Sequence, residues 1–385
     1  MKAMSFTHTF RLLLSMVTLF IPITLTTACS TPSDATATTS STAVSTHTAG
    51  EQTALDMKSI LAQKPSGQQI VVATNNTGNG RDQWLADAAK QAGFNIKLVG
   101  LGGGDLTSRV IGEVNNPTLN VVWGPSDTMF QSMSDAHALQ KWTPSWADQL
   151  TSHNEQNGYS WSYELQPKLL IANPKLYTAT TAPTSYQDLW QNPQFHGKYA
   201  VPTDFGGTTN RAIIGGIIAQ YLDPKGELGV SQAGWDAIKS YFQYGYQTPK
   251  GEKDMQNLVD GKVPITYIYA SGLKSFIDTY HMEPLIVYSR TGEPTNTNQL
   301  GVVKNNNPAV VEESIRFANW LGSADMMGDY ASTYGSIVVN RQAQSHIDPF
   351  MQKVMKTSKP QQADWNYINS MMDQWVAKIQ LEYMK

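Results

Sequence analysis

The chain has one cysteine and seven histidines among its 385 residues. A single thiol excludes a disulfide framework, and so few histidines leave little room for a zinc site. Charge is sparse as well: 15% of the residues are Asp, Glu, Lys or Arg, and the formal net charge is -3. No basic stripe runs along any segment, which argues against nucleic acid as a partner. The one long apolar run, residues 12–25, is short for a membrane span and is interrupted by Pro22. Catalytic signatures are missing too: no nucleophile elbow, no H-E-x-x-H and no paired His–carboxylate set stands out. These absences predict a protein that is not an enzyme and that holds no cofactor.

What is present is bulk. Hydrophobic residues make up 41% of the chain, with ten Trp and seventeen Tyr, enough for a large core and, at this length, for two lobes. The lone cysteine is informative by its place. Lys2 and Arg11 form a basic region, residues 12–25 an apolar one, and Thr26-Thr27-Ala28 supply small residues ahead of Cys29. Leu25-Thr26-Thr27-Ala28-Cys29 resembles a bacterial lipobox, with Thr26 where the pattern has an aliphatic residue. The resemblance implies a lipoprotein signal peptide over 1–28 and lipidation of Cys29, palmitate included. Cleavage there removes Lys2 and Arg11 and no acid, leaving 26 cations against 31 acids, a net charge of -5. Residues 29–55 are rich in Ser, Thr and Ala and read as a disordered tether. Roughly 20 such residues span about 25 Å on average. The expected location is the outer face of a cell membrane, anchored by lipid and not spanning it.

The globular part is organised around residues 98–124. Gly102-Gly103-Gly104-Asp105 breaks a strand ending at Val99, because consecutive glycines leave the backbone too free. Asp105 reads as an N-cap, and Leu106, Val110, Ile111 and Val114 recur at helical spacing to about Asn115. Asn116-Pro117 stops that helix, and 120–123 is a short buried strand. Ahead of it, 69–74 is a first strand, 75–80 a polar loop, 81–92 an amphipathic helix and 95–99 a second strand. This alternation predicts a parallel α/β sheet whose strand ends, Thr74, Val99 and Trp123, share one edge. Ligands of open α/β sheets bind beyond such an edge. The spacing matches neither the dinucleotide fingerprint nor a phosphate-binding P-loop, and a glycine-rich turn serves close packing as readily as a ligand.

The device recurs further on. A strand over 199–203 leads into Asp204-Phe205-Gly206-Gly207-Thr208-Thr209-Asn210, then a helix with Ile213, Ile214, Ile217 and Ile218 on its buried face. Free N–H groups and hydroxyls at such a helix start suit an anionic or polar group, although Ser and Thr there are also ordinary caps. Short strands are expected over 159–163 and 169–172, another over 264–269, and further ones over 285–288 and 300–303. Residues 308–322 form a long amphipathic helix, and the remainder is helical but for 336–339.

At this point the chain resembles the solute-binding proteins of ABC importers, with the two-lobed type II periplasmic-binding fold. The branch it resembles contains binders of ferric iron, 2-aminoethylphosphonate, sugar phosphates, thiamine and polyamines. The carrying residues are Gly102 to Val110, Glu113, Asn116-Pro117, Val121 to Gly124, Leu189 to Pro193 with Gly197-Lys198, and Gly261 to Ile265 before Tyr267. The resemblance implies an α/β fold in which each lobe is a mixed sheet flanked by helices, with the ligand cleft between them. It divides the chain into 56–170 for the first part of lobe 1, 171–287 for lobe 2, and 288–385 for a return to lobe 1 plus C-terminal helices. It further implies a monomer that captures a small solute by hinge closure and hands it to a membrane permease with its ATPase.

Position at strand ends and helix starts nominates Asn75, Asn76, Gly103, Asp105, Trp123, Gly206, Gly207, Thr208, Thr209, Tyr267 and Ser271 as cleft residues, with Asn296 and Asn298 behind them. Two helix N-termini with hydroxyl donors favour a small anionic organic solute: phosphorylated, phosphonate or carboxylate. Two other ligand readings stay open. One is ferric iron on Tyr267 and Tyr269, which alternation puts on one strand face; the other is thiamine or a polyamine held by aromatics. A surface lipoprotein enzyme or a receptor without transport is the alternative class.

Overall fold

A computed structural model of the protein describes residues 55–151 and 157–384; the expected leader, Cys29 and the tether up to residue 54 lie outside them. Among the described residues no helix is long and apolar enough to cross a membrane. The strands are β1 (Ile70–Thr74), β2 (Ile96–Gly100), β3 (Val121–Ser126), β4 (Leu139–Gln140), β5 (Ser160–Ala172), β6 (Ala200–Val201), β7 (Leu222–Glu227), β8 (Tyr246–Gln247), β9 (Ile265–Tyr269), β10 (Leu285–Val287), β11 (Thr295–Val303) and β12 (Ile337–Val338). The helices of the first half are α1 (Met57–Ala62), α2 (Arg81–Gln91), α3 (Gly103–Gly112), α4 (Asp127–Asp135), α5 (Tyr186–Gln191) and α6 (Thr208–Ile218). Those of the second half are α7 (Gln232–Tyr244), α8 (Asp254–Asp260), α9 (Leu273–Tyr280), α10 (Pro308–Leu321), α11 (Ala324–Tyr334), α12 (Pro349–Thr357) and α13 (Trp365–Glu382).

β1 pairs in parallel with β2 and β3, which sets Thr74 beside Gly100 and Trp123; β2 ends one residue past the expected Val99, and β3 runs on beyond Trp123 to Ser126. β11 runs antiparallel to β3 and continues the sheet onto β5. The second lobe is built on the other half of β5, from Lys168 to Ala172, which pairs with β9 and β10. β6 and β8 extend it through a bridge between Tyr199 and Ile265.

β5 corrects one expectation. In place of two short strands over 159–163 and 169–172 there is a single strand of 13 residues shared by both lobes. Pro167 does not break it. Its missing N–H falls where β5 leaves β11, at the pair Thr295–Pro167, and the next N–H, from Lys168, reaches Pro294 O at 2.9 Å. Along β5, Trp161, Tyr163, Leu169 and Ile171 belong to one core. Ser160, Ser162, Glu164, Gln166 and Lys168 alternate with them, all buried, and Leu170 and Ala172 continue that row into the second lobe's core. This period of two gives the shared sheet two distinct faces.

One face of the first lobe carries α3 and α4, through Leu106, Val110, Phe130 and Met133. Its other face carries α2, α10 and α11, and the second lobe's α8 and α9 adjoin the same core through Leu258 and Leu273. The expected boundaries leave the C-terminal helices unassigned. α12 packs with the first lobe through Met351 and Val354. α13 packs with α6 and α7 in the second lobe, through Ile368, Met372, Trp375 and Ile379. The chain therefore crosses between lobes once more over 358–364, where Lys359 O and Gln361 N bond to Glu293 N and O at 2.8 and 2.9 Å.

Candidate functional site

A cleft of about 750 Å³ lies between α3 and α4 on one side and α6 and α13 on the other. The first lobe contributes Gly104, Thr107 and Ser108, with Ser126 to Met129 at the start of α4. The second contributes Gly206, Thr208 and Arg211, with Asp364, Trp365, Asn369 and Asp373 from the start of α13. Thr295 and Asn296, where the chain returns to the first lobe, form the floor. Both glycine turns nominated from the sequence thus meet across one cavity.

The first turn is folded differently from expectation. α3 begins at Gly103, with Gly102 as N-cap, and ends at Gly112. Asp105 therefore stands in the first turn, where a carboxylate still favours the positive end of the helix. Gly103 allows close packing: a Cβ there would lie 2.9 Å from Met129 Sδ and 3.3 Å from Asn75 Nδ2. Asn75 and Gly103 sit together one layer behind Met129 and the cleft wall. Gly124, at φ +113°, leaves space for Asn75 Oδ1, which a Cβ would meet at 2.2 Å. Gly124→Ala is expected to cost about 2 kcal/mol, read as a lower urea midpoint at unchanged slope.

The second turn follows the sequence reading more closely. Gly207 is the N-cap of α6, so Thr208 and Thr209 begin the helix, and Asp204 Oδ1 accepts from Gly206 N at 3.1 Å. Gly206 and Thr208 line the cleft; Gly207 and Thr209 adjoin them without lining it. Asn296 lines it too, while Asn298 turns its amide to Glu164 Oε2 at 2.9 Å.

The remaining nominees stand elsewhere. Trp123 has no exposed surface and packs among Trp84, Tyr163 and Tyr330 in the first lobe's core. Tyr267 is 8% exposed within the second lobe's core, and burial holds its hydroxyl well above the ordinary tyrosine range. Tyr269 is 41% exposed at the end of β9, so the two phenols do not share a surface. Asn76 Nδ2 donates to Tyr163 OH at 2.6 Å, and Ser271 Oγ accepts from Gln166 Nε2 at 2.7 Å; neither lines the cleft. Trp123, Tyr267, Asn76 and Ser271 thus lie off this cleft, because the strand-end rule names an edge but not which way each side chain there turns.

The cleft's electrostatics are set by few groups. Three lining carboxylates, Asp127, Asp364 and Asp373, face one guanidinium, Arg211. Arg211 is already engaged: Nη1 donates to Asp373 Oδ1 at 2.6 Å and Nε to Phe205 O at 2.8 Å. Asp364 caps α13 by accepting from Tyr367 N. Behind the floor, Lys168 is 2% exposed and donates to Asn296 Oδ1 at 2.6 Å and Gln166 O at 3.1 Å. Burial pulls its ammonium from the ordinary 10.5 down to about 8, a fall that Glu164 and Asp127 oppose. Half of the lining side chains are Ser, Thr, Asn or Gln, eleven of the 22. Such a wall hydrogen-bonds oxygen-rich solutes and offers a bare anion no unengaged cation.

Sequence reasoning missed α4's first turn, Arg211 and all of α13. The first had a signal, since Ser126-Asp127 follows the third strand at the same edge as the nominated turns. α13 had none, because a late crossing of the chain brings it to the cleft.

The family model of bacterial extracellular solute-binding proteins matches residues 83–357. A probable ABC transporter periplasmic-binding protein, y4fP of Sinorhizobium fredii, is 28% identical over 324 residues, covering 84% of this chain and 89% of that protein. Among solved structures, iron-bound HitA from Pseudomonas aeruginosa superposes with a TM-score of 0.66 at 16% identity, over 80% of this chain and 98% of that one. Trichodesmium FutA with iron and citrate gives 0.62 at 15%, over 82% and 99%. Apo ferric ion-binding protein A from Pasteurella haemolytica gives 0.67 at 14%, over 81% and 97%. With its two lobes, shared central strand and cleft, the chain has the type II periplasmic-binding fold and belongs to the bacterial extracellular solute-binding proteins.

Proposed function

We propose that the protein is the solute-capturing component of an ABC importer, closing its lobes on a small polar solute and delivering it to a membrane permease. Membership of the family and the y4fP likeness support the importer role. The observation that carries the solute's chemistry is the cleft wall, with three carboxylates against one engaged guanidinium among eleven hydroxyl and amide side chains. That balance disfavours the bare phosphorylated, phosphonate or carboxylate anion expected from the helix starts. It favours an oxygen-rich solute that carries its own cationic centre, and the leading candidate is ferric iron enclosed by a small chelator. Two solved relatives carry iron, one of them with citrate. Among the described residues no three His, Cys, Asp or Glu side chains gather to hold a metal, so the chelator supplies most of the iron's oxygen ligands. Cys29 holds the protein to the membrane in this reading; incorporation of labelled palmitate, lost in Cys29→Ala, checks it.

The test is thermal unfolding with ferric citrate, iron-free citrate, spermidine, thiamine, a sugar phosphate and aminoethylphosphonate. A ligand at a hundredfold its dissociation constant adds about 2.7 kcal/mol. The expected result is a higher midpoint with ferric citrate, reduced in Thr208→Ala and absent with citrate alone. A rise with a phosphorylated compound alone would return the site to anions.

A further inference from the structure

The polar row of β5 meets a second polar row on β11. Glu164 pairs with Asn298 and Gln166 with Asn296, so the period of two puts all four, and Lys168 after them, on one face of the sheet. Of the five, Asn296 lines the cleft, where it shares the floor with Thr295.

A chain of hydrogen bonds runs along that face. Lys168 Nζ donates to Asn296 Oδ1 at 2.6 Å, Asn296 Nδ2 to Asn298 Oδ1 at 3.2 Å, and Asn298 Nδ2 to Glu164 Oε2 at 2.9 Å. Its direction is fixed from one end, because an ammonium has protons to give and no lone pair to offer. Asn296 must therefore turn its amide oxygen to Lys168 and keep its nitrogen for other acceptors. The bonds that nitrogen makes, to Asn298 Oδ1 and to Thr297 O at 3.3 Å, are long beside the one from Lys168. They are the weaker bonds, and the ones an incoming acceptor can displace. The neighbouring hydroxyl on the floor is already spent, since Thr295 donates it to Glu293 O at 2.8 Å. Two uncharged oxygens, Asn296 Oδ1 and Gln166 O, hold Lys168, and Glu164 and Asp127 attract it from further off. Its charge thus reaches the floor through the amide that it polarises.

We infer that Lys168 is a positioning residue for solute capture: by holding Asn296 Oδ1 it sets Asn296 Nδ2 as a donor on the cleft floor, and what the floor receives is a carboxylate oxygen of the chelator. Walls and floor then make different demands. Asp127, Asp364 and Asp373 on the walls repel a bare anion, while the floor asks for an acceptor. A chelate with carboxylate oxygens about a cationic metal meets both. A polyamine meets the walls alone, and a bare phosphate meets the floor alone. The inference rests on the chelated-iron reading above.

Titration calorimetry of the full chain with ferric citrate at pH 7, beside citrate alone, tests it. Asn296→Asp keeps the size of the side chain and an oxygen for Lys168 but has no donor. It is expected to bind ferric citrate about a hundredfold more weakly and to melt no lower than the parent, because the ammonium gains a charged partner. Lys168→Met spares the cost of burying the charge and is expected to bind about tenfold more weakly, again without melting lower. On an Asn296→Ala background the same substitution should change affinity by about twofold or less, since Lys168 acts through that amide. Parental affinity in Asn296→Asp would overturn the floor donor and leave the iron reading standing. A loss from Lys168→Met that persists in full on Asn296→Ala would overturn the positioning role. A parent that takes up no ferric citrate would overturn the reading and the inference together. If Asn296→Asp fails to fold, Lys168→Met with and without Asn296→Ala decides alone.

Discussion

Trp123→Ala is expected to destabilise the protein by about 3–5 kcal/mol, the usual cost of emptying a buried tryptophan site. The side chain has no exposed surface, and three aromatic rings lie within 6.2 Å of it, centroid to centroid. For a chain of this size the midpoint should fall by roughly 5 °C. Solute affinity, measured well below the new midpoint, should change far less, because Trp123 is absent from the cleft lining. A variant of parental stability that no longer binds would make Trp123 a contact residue and remove it from the core assignment. Trp123→Phe keeps most of the ring volume and should lose about half as much or less.

The second large effect depends on pH. Lys168 lies fully buried at the point where β5 passes from one lobe to the other, and its folded-state pKa is about 8 against 10.5 unfolded. Between those values the unfolded chain binds more protons than the folded one, so stability contributed through Lys168 rises with pH across that window. Below about pH 8 both states are charged and the full cost of burying the ammonium is felt. Lys168→Met keeps the length of the side chain and removes the titration. The stability of the parent relative to Lys168→Met should therefore increase by on the order of 3 kcal/mol from pH 8 to pH 10.5. Urea unfolding of both proteins at several pH values measures it. A difference that is flat with pH would mean the group ionises in the folded protein as it does in the unfolded chain.

Most of the first lobe was legible because its signals are local. The alternation of strand, turn and helix over 69–124 needs only neighbours in sequence, and the parallel pairing of β1 with β2 and β3 follows from it. The β5 spine carries an equally plain signal. Ser160, Ser162, Glu164, Gln166 and Lys168 alternate with Trp161, Tyr163 and Leu165, which is the pattern of a strand with one polar and one apolar face. Pro167 interrupts that pattern in the sequence, although a proline is tolerated where a strand changes partners. That polar row is buried and satisfied largely by the neighbouring β11, through Thr297, Asn298 and Asn296, and by Ser271 after β9, so polarity there did not mean exposure. The cleft was half legible. The glycine turns announced α3 and α6, but whether a given side chain turns into the cleft or the core depends on twist and packing that no short motif encodes. The wall supplied by α13 depends on a crossing more than 60 residues after β11 begins, and nothing within α13 distinguishes a cleft helix from a surface one.

That late crossing has a consequence for how the protein is made. The second lobe's core is drawn from two stretches of chain, one ending near Val287 and the other beginning near Ile368. Trp375, fully buried, bonds through its indole N–H to Leu228 O, so the last helix fastens a region formed almost 150 residues earlier. A chain emerging amino end first cannot close that core until its final turns have appeared. A nascent chain halted at Ser358 should accordingly keep the second lobe open to protease and gain resistance only on release of the complete polypeptide.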